Sequence, residues 1–145
     1  MAALFLLAEI AGSEVAIASE AIESIIAVGE TVAVPHADPI VAGLCAVRSR
    51  VLTLIDCQYR VTGTKSPTVK GSFAAIFGLG GDSFGLMVDK VFDVIPLPAD
   101  AIVPAKKLGK GWADIVTQLG CIDGRLVMIV DPEALVSSQG ERYAA

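Results

Sequence analysis

Few residues in this 145-residue chain are of a type and spacing suited to chemistry. Its single histidine, His36, sits between Pro35 and Pro39. A histidine can serve as a general base, but nucleophilic catalysis also needs a nucleophile held beside it, and no Gly-x-Ser-x-Gly elbow is present. His36 is therefore read as a loop residue at a protein contact. Asp56 and Asp131 each end an apolar run. Two carboxylates flanking one bond would suit acid–base work. These two stand at equivalent places in similar segments, so the simpler role is to cap the turn that follows or to accept backbone N–H bonds. Gly78-Leu79-Gly80-Gly81 looks like half of a phosphate loop, but a strand-like run, Phe84 to Val88, follows where the fingerprint needs a helix. It reads as a hairpin turn. The basic stretch from Lys106 to Gly111 lacks the Walker spacing and reads as a solvated loop, open to an acidic partner. Cys45, Cys57 and Cys121 are odd in number and match no zinc spacing; they read as buried free thiols of a reducing compartment. No catalytic residue, metal site or cofactor is expected.

The bulk composition narrows the class further. Apolar residues make up 54% of the chain and charged ones 19%, enough apolar surface to offset the ordering entropy of a folded domain. The 11 Lys and Arg against 16 Asp and Glu leave no basic stripe for phosphates, so nucleic acid is a poor partner. The opening MAALFLLAEI has no basic flank and is interrupted by Glu9; it reads as a first strand, not a signal peptide. No run of about 18 apolar residues exists, so no spanning segment or membrane insertion is expected.

The elements that would position any site are mostly strands. Leu4 to Glu9 and Val15 to Ile17 read as a hairpin about Gly12. Ser19 is a candidate cap for a short helix from Glu20, with Ile22, Ile25 and Ile26 on one helical face. Thr31 to Val34 is open between helix end and strand. His36 to Pro39 is a loop, and Ile40 to Val47 and Val51 to Asp56 follow as apolar runs, the second a buried strand. Gly63 to Gly71 is a polar loop. Ser72 to Leu79 and Phe84 to Val88 form a second hairpin. Asp89 to Ile95 is a short helix or an irregular strand, stopped by Pro96 and Pro98. Ile115 to Ile122 and Arg125 to Val130 form a hairpin about Asp123-Gly124. Asp131 to Leu135 makes a helical turn, and the chain frays from Ser137.

The series repeats itself. Gly12-Ser13-Glu14-Val15 echoes Gly81-Asp82-Ser83-Phe84, and Ile22, Ile25 and Ile26 echo Val91, Val94 and Ile95, at an offset of 69. Arg50 to Asp56 echoes Arg125 to Asp131 at an offset of 75, which places a six-residue insertion in the second half, around Lys106 to Gly111. Internal similarity of this kind signals repeated structure. Two small β-rich subdomains follow, with barrel closure as the economical way to hide their edges.

One polar residue is left without a task. Arg48 and Arg50 bracket Ser49, and an arginine in such a turn is either a plain surface charge or the planar, five-donor anchor that interfaces favour. The run from Gly43 through Leu44, Arg48 and Ser49 to Asp56 resembles the signature of the CheW-like family, scaffolds that couple bacterial chemoreceptors to their histidine kinase. Gly12 to Ile26, Phe84 to Val91 and Gly120 to Leu135 resemble the family's other stretches in the same order. The resemblance implies an all-β fold: one CheW-like domain over 1–145, built from two intertwined five-stranded, SH3-like β-barrels with short helices. Approximate halves are 15–70 and 71–130, with terminal segments exchanged between barrels. It implies a non-catalytic, cytoplasmic adaptor at membrane-associated or polar receptor arrays. Its partners would be the regulatory domain of a CheA-type kinase, the cytoplasmic tip of a chemoreceptor, and other CheW-like proteins. The protein-binding positions it carries over are Arg48, Gly43, Leu44 and Ile22, with Ser24 and Ser49 at neighbouring positions. Three residues depart from the pattern: Ala46 and Ser49 replace the usual Asn and Gly, and Ser24 replaces a frequent Glu. Losing that carboxylate removes one charge-assisted contact. Two other readings stay open: a divergent regulator that binds only one of the partners, and a domain that senses a small molecule in the groove between its halves.

Overall fold

The computed structural model describes residues 2–67, 69–105, 108–109 and 111–136. Four hairpins dominate it. They are β1 (Ala3–Ile10) with β2 (Ser13–Ala18), β4 (Val41–Val47) with β5 (Arg50–Asp56), β6 (Phe73–Leu79) with β7 (Asp82–Val88), and β10 (Val116–Ile122) with β11 (Arg125–Val130). Between them lie β3 (Ile22–Ala27), β8 (Lys90–Leu97) and the short β9 (Ile102–Pro104). These elements form two mixed sheets, one ordered β8-β1-β2-β11-β10-β9 and the other β3-β6-β7-β5-β4. The all-β expectation holds. The expected pair of five-stranded barrels becomes two open sheets of six and five strands, because β9 adds to one and neither ladder closes on itself.

Strand exchange ties the sheets together. Strand β3 follows β2 in sequence but pairs with β6, while β8 follows β7 and pairs with β1. Sheet membership therefore does not follow a cut at residue 70. β6 and β7 stand with β3 to β5, and β2 stands with β10 and β11. Each sheet has one parallel contact, β2 with β11 and β5 with β7. The internal echo is thus a geometric one. Asp56 N donates to Ile40 O at 2.7 Å, and Asp131 N donates to Ile115 O at 2.9 Å, 75 residues on. The bulge at Val41/Gly43 recurs at Val116/Gln118. The extra length of the second half falls between β8 and β10, where β9 lies; Lys106, Lys107 and Lys110 of the expected basic loop are outside the described residues, as is the expected fraying from Ser137.

The isoleucine segment is a strand, not a helix. Only Ser19–Ala21 makes a 3-10 turn, and Ser19 caps nothing. The helical spacing of Ile22 and Ile25 has a different cause. A bulge between Ile22 and Ser24 inserts one residue, so Ile22 opposite Phe77 and Ile25 opposite Ala75 share a face although they are three apart. β-Branched side chains also favour the extended form. Strand β8 carries the equivalent bulge between Val91 and Val94, and Pro96 sits within this edge strand instead of ending it. Helix α1 (Cys57–Thr62) was not foreseen. Asp56 caps its N-terminus and Gly63, at φ 78°, ends it.

Alternate residues of each strand feed different cores. Ala74 and Ile76 pack with Leu52, Leu54, Val28 and Met87 inside the five-stranded sheet. Ala75 and Phe77, their sequence neighbours, pack between the sheets with Ala8, Ile10, Val15, Ile55, Leu86, Val130 and Leu135. Phe5, Leu7, Val127 and Ile129 fill the six-stranded sheet. The central strands are consequently buried on both faces and read as unbroken apolar runs. Gly111 adds a close backbone approach between the halves. At φ 93°, its hypothetical Cβ would lie 2.0 Å from the carbonyl oxygen of Val61 in α1. Replacing Gly111 with Ala is expected to cost about 2–4 kcal/mol through strain and backbone displacement, read as a lower denaturation midpoint with an unchanged slope.

Candidate functional site

The residues expected to carry function lie on the five-stranded sheet, at its two edges and on one turn. Two-residue turns join all four hairpins, and every turn residue has positive φ: Ala11 51° and Gly12 81°, Gly80 61° and Gly81 87°, Asp123 48° and Gly124 79°, Arg48 49° and Ser49 68°. This geometry matches the right-handed strand twist and ordinarily calls on glycine. Arg48-Ser49 is the one pair of the four without it. Backbone strain concentrates there, and strain of this kind collects where function overrides stability. The turn holds Arg48 exposed at the sheet's end. Among the described residues nothing hydrogen-bonds to or pairs with its guanidinium.

Gly43 is buried and shapes the edge behind the turn. The chain leaving β3 passes Val28, which bonds to the 71–72 backbone, and then Val32 pairs with Leu44 through N–H···O bonds of 2.9 and 2.8 Å. A Cβ on Gly43 would meet the Val32 carbonyl at 3.1 Å, so glycine admits the crossing segment. Leu44 is half-buried with its backbone paired on both sides.

Ile22 and Ser24 stand on β3, at the opposite edge of the sheet from β4. Ile22 is half-buried against the inter-sheet core, and Ser24 is exposed. Register links Ile22 to Phe77, Phe77 to Phe84, Phe84 to Thr53 and Thr53 to Leu44, so Ile22 and Leu44 end one row on one face. On the other face of the sheet, where Leu52 and Leu54 point, Arg50 Nη1 donates to Glu23 Oε1 at 3.2 Å. Glu23 lies between Ile22 and Ser24, and Arg50 directly follows Ser49. The structure thus joins the two separate sequence segments through Glu23 and Arg50, neither of which was among the expected binding positions. The opposite charges of Glu23 and Arg50 were visible, but their proximity depends on the exchange of β3.

The candidate acids are structural. Asp56 is 3% exposed and accepts from Tyr59 N at 3.1 Å, Ser66 N at 2.8 Å and Ser66 Oγ at 2.7 Å, so it caps α1 and fastens the following loop. Asp131 accepts from Glu133 N at 3.0 Å. His36 is exposed in a turn. Cys45 and Cys57 are buried, whereas Cys121 is exposed, contrary to expectation; its side of β10 faces outward beside Leu126, itself 62% exposed. Burial, reinforced by the Asp56 and Asp89 charges, pushes the Cys57 thiol far up, which keeps it protonated and inert. An open cavity borders Gln58, Ser66, Lys70, Ser72 and Asp89. Its polar groups are already engaged: Ser66 by Asp56, Lys70 by Glu30, and Asp89 by Gly12 N. Among the described residues no three His, Cys, Asp or Glu side chains are grouped to hold a metal ion, and no helix is long and apolar enough to cross a membrane.

The family model for the CheW-like domain matches residues 4–140. The chain belongs to the CheW-like family. It is 27% identical to a chemotaxis protein CheW of Klebsiella aerogenes over 100 residues, which is 68% of this chain and 60% of that protein. The chain therefore matches less than two thirds of that relative's length. Its fold resembles the crystal structure of the scaffolding protein TtCheW from Thermoanaerobacter tengcongensis, with a TM-score of 0.79 and 20% identity over 90% of this chain and 89% of that one.

A glycine at Ser49 would relieve one left-handed residue. Ser49→Gly is expected to stabilise this CheW-like chain by about 1 kcal/mol, measured by chemical denaturation.

Proposed function

We propose that the chain is a non-catalytic adaptor that couples chemoreceptors to a CheA-type histidine kinase in chemotaxis signalling. The observation that carries this reading is Arg48, without a partner among the described residues and held on a strained, glycine-free turn, in a chain of the CheW-like family. A planar cation that spends nothing on internal pairing is free to form bidentate bonds with a partner's carboxylates. Arg48, Leu44, Ile22, Ser24 and Ser49 form the docking surface for the receptor's cytoplasmic tip, and Gly43 shapes its edge. A separate face takes the kinase's regulatory domain or another CheW-like protein. Simultaneous contact raises each partner's effective concentration near the other, which is coupling without catalysis. The protein works in the cytoplasm at receptor arrays. The engaged polar groups of the open cavity leave that cavity without the convergent free groups that a small-molecule site needs.

A pull-down from native cytosol, with Arg48→Ala beside wild type, tests the proposal. Wild type is expected to retain both a histidine kinase and chemoreceptors. Truncating an interface anchor should lower receptor capture about tenfold or more, with the variant still folded. Recovery of one partner class alone would make the protein a one-sided regulator, and recovery of neither, beside a working adaptor control, would end the coupling reading.

A further inference from the structure

Arg50 and Glu23 are not on neighbouring strands. β7 and β6 lie between β5 and β3, and the ion pair crosses both. The Glu23 carboxylate packs beside Gly78 on β6, whose hypothetical Cβ would sit at an ordinary contact distance of 3.5 Å from Oε2. Across β7, the register partner of Gly78 is Ser83.

The six-stranded sheet shows the same frame without this crossing. There Arg125 occupies the place of Arg50. It binds Glu14 on the adjacent β2 with both ends of its guanidinium, at 2.8 and 3.1 Å. That bond holds Glu14 below the usual carboxylate range. At the offset of 69, Glu14 corresponds to Ser83, Glu9 to Gly78 and Phe92 to Glu23. Two differences therefore act in one direction: the near acid is gone, and a distant acid is supplied.

We infer that the Glu23–Arg50 pair is a clamp that positions the Arg48-Ser49 turn against β3, so that the two parts of the docking surface meet a receptor as one. This rests on the adaptor reading above. Both side chains are 47% exposed. Exposed pairs contribute little to stability and are screened by salt, so the pair's effect is on placement, not on folding. It joins an edge strand, β3, to the first residue of β5, directly after the strained turn.

The test uses full-length protein with Glu23→Gln, Arg50→Gln and the charge swap Glu23→Arg/Arg50→Glu, beside Arg48→Ala. Affinity for a purified chemoreceptor signalling-tip fragment is titrated at low and high salt. Amide hydrogen exchange of residues 22–27 and 48–50 is followed without partner, with β8 as internal control. Each single variant is expected to weaken binding roughly three- to tenfold and to speed exchange in β3 but not in β8. The swap should restore both, high salt should bring wild type to the level of the single variants, and melting temperatures should stay within about 2 °C. Unchanged affinity and exchange in the single variants, with binding lost in Arg48→Ala, would overturn the clamp and leave the adaptor reading standing. If the fragment binds no form of the protein, the adaptor reading fails and exchange alone decides the clamp: faster exchange repaired by the swap sustains it, and unchanged exchange removes it.

Discussion

Strand β3 leaves the hairpin it follows and completes the opposite sheet, and β8 makes the same move in return. Everything else in the molecule accommodates that exchange. A sheet that lost its borrowed strand would expose the edge of β6 or β1, so neither sheet is complete without chain from the other side. The shared core deepens the dependence. Phe77, Leu86, Ile10 and Val15 alternate with residues that fill their own sheet, so each central strand serves two cores at once. Gly111 packed against the Val61 carbonyl adds a rigid contact where the second connection meets α1. The proposed docking surface depends on this exchange, because its β3 edge is carried by the exchanged strand.

The two halves share one frame, and they depart from symmetry at the proposed site. The β4–β5 and β10–β11 hairpins share their bulges, their turn conformation and the aspartate that follows. At the turn one presents Arg48-Ser49 and the other Asp123-Gly124, so equivalent positions carry opposite charge. The second turn keeps the glycine that its backbone favours, and the first does not. The two turns thus share a backbone conformation and differ in the side chains they carry.

Three of the four hairpins were legible because their turns carry Gly12, Gly80-Gly81 or Asp123-Gly124 and their strands are apolar runs; the β4–β5 turn, Arg48-Ser49, carries no such signal. The aspartates were legible for the same local reason, as residues that cap or accept N–H bonds. Strand β3 was misread because its bulge places Ile22 and Ile25 three apart on one face, which imitates a helix. Helix α1 was overlooked between Asp56 and Gly63, a cap and a stop only six residues apart. Arg48 stood out as a turn arginine with no other task, and Leu44 and Ile22 through family resemblance alone. That Ile22 and Leu44 end one row, and that Glu23 reaches Arg50, depends on sheet order, which no local signal encodes.

If exchange makes the two sheets one body, they must open together. Native-state hydrogen exchange under rising denaturant measures this directly, comparing the slowest amides of β2 and β11 with those of β5 and β7. The account predicts one opening free energy and one denaturant dependence for both groups. Two distinct values, with one sheet opening while the other stays protected, would contradict it.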